Sequence, residues 1–211
     1  MASVVSVFTV VVAAAEELGG RAASALLGHP AVETVGVVDR DPPKSWGNRA
    51  RRVAGPSGFD VGIGVDGAGV RVFRRAPLGG GIGWASPAGL AMAARSRVEG
   101  PATCAVTVPG RPLSDGEAFA FPPPIGWSRG VVGPEDVYEC PVEGPHAGAL
   151  ARGRSGETVA TSDDALFLNA ICLAAGAVVA AERPGIASVW EAAEDYLAAC
   201  EALGVVLAAS G

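Results

Sequence analysis

The chain reads as an α/β protein in two lobes, a parallel-sheet lobe over residues 1–84 and a mixed α+β lobe with an antiparallel sheet over residues 85–211. Three observations predict this. Residues 4–12 (VVSVFTVVV) are a nearly unbroken β-branched run, the composition of a strand covered on both faces of a parallel sheet. The segment after it changes to helical period, and a second apolar strand follows at 32–38 (VETVGVV), which gives the order strand, helix, strand. Beyond residue 100 the apolar runs become short and alternating, with Pro- and Gly-rich turns between them, as antiparallel strands require. A length of 211 residues with 49% apolar content suits one medium domain, or two small lobes that share a core.

In the first unit Leu18, Ala22, Ala25 and Leu26 fall at i, i+4, i+7 and i+8, with Glu17, Arg21 and Ser24 on the other face. That spacing predicts an amphipathic helix of about three turns. Gly28-His29-Pro30 stops it. The second strand ends in Asp39-Arg40-Asp41, and a Rossmann-like unit places its ribose-binding carboxylate there, about 20 residues beyond the glycine turn. Asp39 is therefore the candidate ribose ligand. The phosphate end departs from the pattern, because Val-Val-Ala-Ala-Ala-Glu-Glu stands where glycines would let backbone amides approach a pyrophosphate. Only Gly19-Gly20 remain, directly before Arg21. Two readings stay open: Gly19 and Gly20 open the helix and Arg21 neutralises phosphate, or the connection no longer binds nucleotide, since Glu16 and Glu17 repel one.

Residues 41–58 are rich in turn formers and leave room for at most a short helix between Trp46 and Val53. Lys44, Arg49, Arg51 and Arg52 make a basic patch in a segment that would face the adenosine ribose. With Arg40 they favour NADP over NAD, because guanidinium pairs with a 2′-phosphate in a bidentate way; a surface loop is the plainer reading. Residues 59–65 predict a third parallel strand and 70–73 a fourth, short one. The run Gly79-Gly80-Gly81-Ile82-Gly83 reads as a hinge, or as a loop that closes over a ligand.

Ser86-Pro87 opens the next helix, with Leu90, Ala91, Ala94 and Val98 at helical spacing. Strands are predicted at 102–108, 116–121, 136–143, 147–152 and 157–161. The strongest helix spans 163–181, with Thr161 and Asp164 as a capping pattern, Asp163-Asp164 at the positive end of the dipole and Pro184-Gly185 as its stop. Asn169 is its only interior polar residue. A helix apolar on nearly every face needs cover all round, from the sheet and neighbouring helices or from a second subunit, and a homodimer is expected on that ground and on the face of the antiparallel sheet. The last helix, 188–203, presents Val189, Ala193, Tyr196, Leu197 and Cys200 as part of that cover.

The net charge of −6 argues against a nucleic-acid surface, which needs clustered cations. No charged segment precedes Val4 and the first apolar run is too short for a membrane span, so a cytoplasmic location without membrane attachment is expected. Cys104, Cys140, Cys172 and Cys200 are scattered without metal or disulfide spacing, and no metal site is assigned. Few polar groups suit chemistry. His146, at a turn after a strand, is the candidate proton donor, against the plainer reading of a surface histidine. His29 reads as a helix-end residue. Tyr138, Glu139 and Glu143 share a strand, and Trp84, Phe121 and Trp127 flank Pro-rich turns as candidate pocket walls.

The segments GGRAASALLGHPAVETVGVVDRD, SPAGLAMAARSRV, PGRPLSDGEAFAFPPPIGW and TSDDALFLNAICLAAGAVVAAERPG, in this order, resemble the NAD(P)-dependent saccharopine dehydrogenase-like and dihydrodipicolinate reductase-like group. The resemblance covers most of the chain by pattern, with a degenerate glycine motif and a shortened first lobe as departures. It implies a Rossmann lobe, a mixed-sheet second lobe and hydride transfer to a small imine or carbonyl metabolite. Gly19, Gly20, Arg21, Asp39 and Arg40 would surround the cofactor, with His146 as proton donor. The alternative is a cofactor-free protein on the same scaffold, either a binding protein or an isomerase or cyclase.

Overall fold

The computed structural model describes residues 7–13, 16–66, 69–74, 81–99, 102–109, 128–132, 136–142, 147–153, 156–162 and 164–210. The latter part of the β-branched run forms β1 (Phe8–Ala13), the amphipathic segment forms α1 (Glu16–Gly28), and β2 (Val32–Val38) lies parallel to β1. Ala22, Ala23 and Leu26 bury the inner stripe of α1 completely. A short 3-10 stretch (Lys44–Arg49) leads into β3 (Ala50–Val53), parallel to β2 at the sheet edge. The sequence reads this segment as loop because Ala-Arg-Arg-Val carries no apolar alternation. β4 (Val61–Asp66) then pairs in parallel with the other side of β1, and β5 (Gly69–Arg74) and β6 (Gly81–Ile82) extend the sheet in antiparallel fashion. The order is β3-β2-β1-β4-β5-β6.

Alternation along β1 assigns the two faces of this sheet. Val10 and Val12 enter the main core, and Val11 points the other way, beside Gly36 and Gly62. No helix intervenes between β3 and β4; residues 54–60 make the crossing and bring Phe59, 3% exposed, against the sheet. A Cβ on Gly36 would lie 2.4 Å from the Phe59 ring, so the close approach requires glycine.

The second sheet follows α2 (Pro87–Ala94), which Ser86 caps by accepting the Gly89 N–H. Its strands are β7 (Ala102–Pro109), β8 (Ser128–Val132), β9 (Asp136–Val142), β10 (Ala147–Gly153), β11 (Glu157–Ser162) and β12 (Leu207–Ser210). The order is β12-β11-β10-β7-β9-β8, antiparallel throughout except for β7 and β9. The strand predicted at 116–121 lies outside the described residues.

Between β11 and β12 the chain forms α3 (Ala165–Glu182), a 3-10 turn (Val189–Ala192) and α4 (Ala193–Ala202). Asp164 alone caps α3, accepting the Phe167 N–H, because Thr161 is held in β11. Twelve of the 18 residues of α3 are buried. Their cover comes from within the chain: α3 packs on α1, α4, β4 and β5, and touches α2, β10 and β11. This removes α3 from the grounds for a dimer. α3 is also the one helix among the described residues long and apolar enough to cross a membrane, and its burial accounts for that composition. The main core runs without a break from Val10 and Val35 through α3 to Ala149 and Leu197, across the division at 84/85.

Candidate functional site

Val37, Val12, Ile63, Val72 and Ile82 stand side by side across five strands of the first sheet. Just beyond this row are the carboxyl ends of β1, β2 and β4, where open α/β sheets bind their ligands. Two cavities open along this rim.

The first, of about 410 Å³, lies at the ends of β1 and β2 and is lined by Val12, Gly19, Gly20, the segment 37–43 and Trp46. Asp39 adopts a left-handed backbone with φ 57°, which aspartate tolerates better than most residues, while its N–H donates to Val53 O at 3.0 Å. The corner so formed carries Asp39, Arg40 and Asp41 along the cavity wall. Arg52 on β3 stands 3.9 Å from the Asp41 carboxylate.

Gly19 and Gly20 line the cavity but do not open the helix, which already begins at Glu16. A Cβ on Gly20 would meet nothing within 4 Å, so this glycine keeps the wall low. Arg21 is not among the cavity residues. Its guanidinium donates to Glu17, one turn earlier, at 2.9 Å, and to Asp164 at the start of α3. The Phe167 N–H, with Arg21, holds the Asp164 carboxyl below the usual carboxylate range. Arg21 thus joins two helices and stands outside the cavity lining.

The basic patch is dispersed, because its members leave the chain in different directions. Arg49 donates to Leu27 O at 2.9 Å, to His29 O at 3.2 Å and to Val32 O, tying the end of α1 to the start of β2, at the other end of that strand from the cavity. Arg51 lies over the Phe59 ring, 5.6 Å from its centre. Of the arginines expected from the sequence to favour NADP, Arg40 lines the cavity and Arg52 stands beside Asp41.

The second cavity, of about 480 Å³, lies at the β5–β6 end of the rim and includes Arg71, Trp84 and Ser86. Trp84 is one of the three aromatic residues expected to line a pocket; Phe121 and Trp127 lie outside the described residues. So do His146 and Glu143, while Tyr138 and Glu139 sit on β9. Sequence reasoning missed the walls given by Trp46 and Arg71. Trp46 carried a faint signal, a large apolar residue within a polar turn, and Arg71 carried none. Among the described residues no group of three or more His, Cys, Asp or Glu is placed to hold a metal ion. No protein-family model, curated protein or solved structure matches the chain.

Proposed function

We propose that the chain is a cytoplasmic NAD(P)-dependent reductase-like protein that holds the adenosine half of its cofactor in the first rim cavity and acts on a small imine or carbonyl metabolite. The observation that carries this reading is Asp39 at the end of β2, facing a cavity whose other wall is Gly19 and Gly20. A carboxylate in that position accepts both hydroxyl protons of a ribose diol, and the paired glycines leave room for the sugar to approach the helix. Arg40 gives a 2′-phosphate a bidentate partner, the ground for NADP over NAD. The cofactor would supply the hydride; the residues of this chain bind it, orient it and border the second cavity further along the rim. A homodimer through the second sheet belongs to the same proposal.

A cofactor-free reading has one observation in its favour. Arg21, the one cation within α1, is already engaged by Glu17 and Asp164, so the start of that helix carries acid where a pyrophosphate would need a donor. The variants Arg40→Ala and Asp39→Ala separate the readings. Arg40→Ala should weaken NADPH about tenfold or more and leave NADH nearly unchanged, because a charged hydrogen bond contributes about 1.5–3 kcal/mol. Asp39→Ala should weaken NADH. Equal affinities in both variants and the parent chain would move the nucleotide away from this cavity, and no binding to the parent chain would favour the cofactor-free reading.

A further inference from the structure

The first rim cavity has a wall that matches neither a sugar diol nor a phosphate: Pro42, Pro43 and Trp46. Trp46 is the one aromatic residue of that lining. In the stretch 43–49 it alone is turned inward, while Pro43, Lys44, Ser45, Gly47, Asn48 and Arg49 are exposed. The turn that carries it is fixed at both ends. Upstream, the Asp39 N–H donates to Val53 O at 3.0 Å, and Pro43 holds extended backbone with φ −53° and ψ 139°. Downstream, Arg49 donates to three carbonyls at the end of α1 and the start of β2. Between these anchors the Trp46 N–H donates to Pro43 O at 3.0 Å, and Gly47, with φ 63°, redirects the chain directly after the indole. Part of the indole packs on the main core and the rest borders the cavity.

A wall of this kind selects a flat ring. An indole face stacks on a heteroaromatic base, and the contact costs little ordering when the indole is already packed in place. At the start of α1 the described side chains offer Glu17, with Arg21 already engaged, and so give a pyrophosphate little to bind. We infer that Trp46 is the base-binding residue of this cavity: the adenine of the cofactor stacks on its indole while the attached ribose lies on Asp39. The inference rests on the nucleotide reading of the cavity and adds to it where the affinity resides, at the adenosine end.

Adenosine 2′-phosphate carries the purine end of NADPH, and reduced nicotinamide mononucleotide carries the other. The readouts are calorimetric affinity and the assigned indole N–H signal of Trp46 in the labelled full chain. Adenosine 2′-phosphate should bind the parent chain and move the Trp46 signal saturably, and the mononucleotide should leave that signal still. Trp46→Leu should weaken adenosine 2′-phosphate and NADPH by the same factor, about fivefold or more, and Trp46→Phe, which keeps a ring face, should restore most of the loss. Unchanged affinity in Trp46→Leu, a Trp46→Phe as weak as Trp46→Leu, or a Trp46 signal moved by the mononucleotide would each overturn the inference while leaving nucleotide binding in place. A parent chain that binds neither adenosine 2′-phosphate nor NADPH would remove the nucleotide reading and the inference with it. The Trp46 signal of the parent chain decides the case if a variant does not fold.

Discussion

Gly36 and Phe59 meet with no space for a methyl group between them, and the cover of one sheet face depends on that fit. Gly36→Ala should cost about 1–3 kcal/mol, read as a lower melting temperature, and the loss should shrink in the double variant with Phe59→Leu, which frees the space. A melting temperature unchanged by Gly36→Ala would contradict this packing. His29 gives a pH dependence. Its Nδ1 accepts the Ala31 N–H at 3.3 Å, and burial pushes its pKa below the ordinary 6.5, with Glu182 pulling weakly the other way. The folded-state pKa is the lower one, so protonation disfavours the fold. The stability present above the unfolded value is lost as pH falls through the folded one. Denaturant midpoints should therefore drop from about pH 7 to pH 5 more steeply in the parent chain than in His29→Asn. At this scale Asp39 and Arg40 were legible, because the end of the second strand fixes where they stand. Arg21 and Arg49 were not. Their partners, Asp164 and the carbonyls of Leu27, His29 and Val32, are brought to them only by the fold.

The helix α3 is the element on which both sheets close. Gly176 lets it approach the turn before α2, where a Cβ would lie 2.5 Å from that of Ala85. Gly176→Val should lower stability by at least about 1–3 kcal/mol, and a neutral result would show that α3 has room to shift. Asn169, the lone interior amide, donates to Ala165 O of its own helix at 2.9 Å. Its role is local. Asn169→Leu should change stability by about 1 kcal/mol or less and leave ligand affinity untouched, and lost affinity would relocate the site to α3. The start of α2 and both ends of α3 were legible to within a residue or two because caps and period are local signals, Ser86 and Asp164 among them; the spacing that reached Val98 overran α2, which ends at Ala94. The short edge strands β3 and β12 were not. A four-residue strand is defined by the neighbour it pairs with, here β2 and β11, and not by its own composition.

Over the whole molecule the order of a mostly parallel sheet followed by a mixed one was legible, since buried parallel strands and alternating strands have different compositions. The replacement of a crossover helix by residues 54–60 was not, and neither was the extent to which the two sheets share one core. Among the described residues the exposed large hydrophobic side chains are Val7, Phe167 and Val206. The homodimer proposed through the second sheet predicts a scattering mass of twice 21.0 kDa at low concentration, and 21.0 kDa would remove it.

The rim cavity between β1 and β2 is tested most directly by calorimetric titration of the intact chain with NADPH and with NADH. A nucleotide site there predicts micromolar binding of NADPH at one site per chain, with NADH weaker. Absence of binding heat with both, across a range of temperatures, would contradict it.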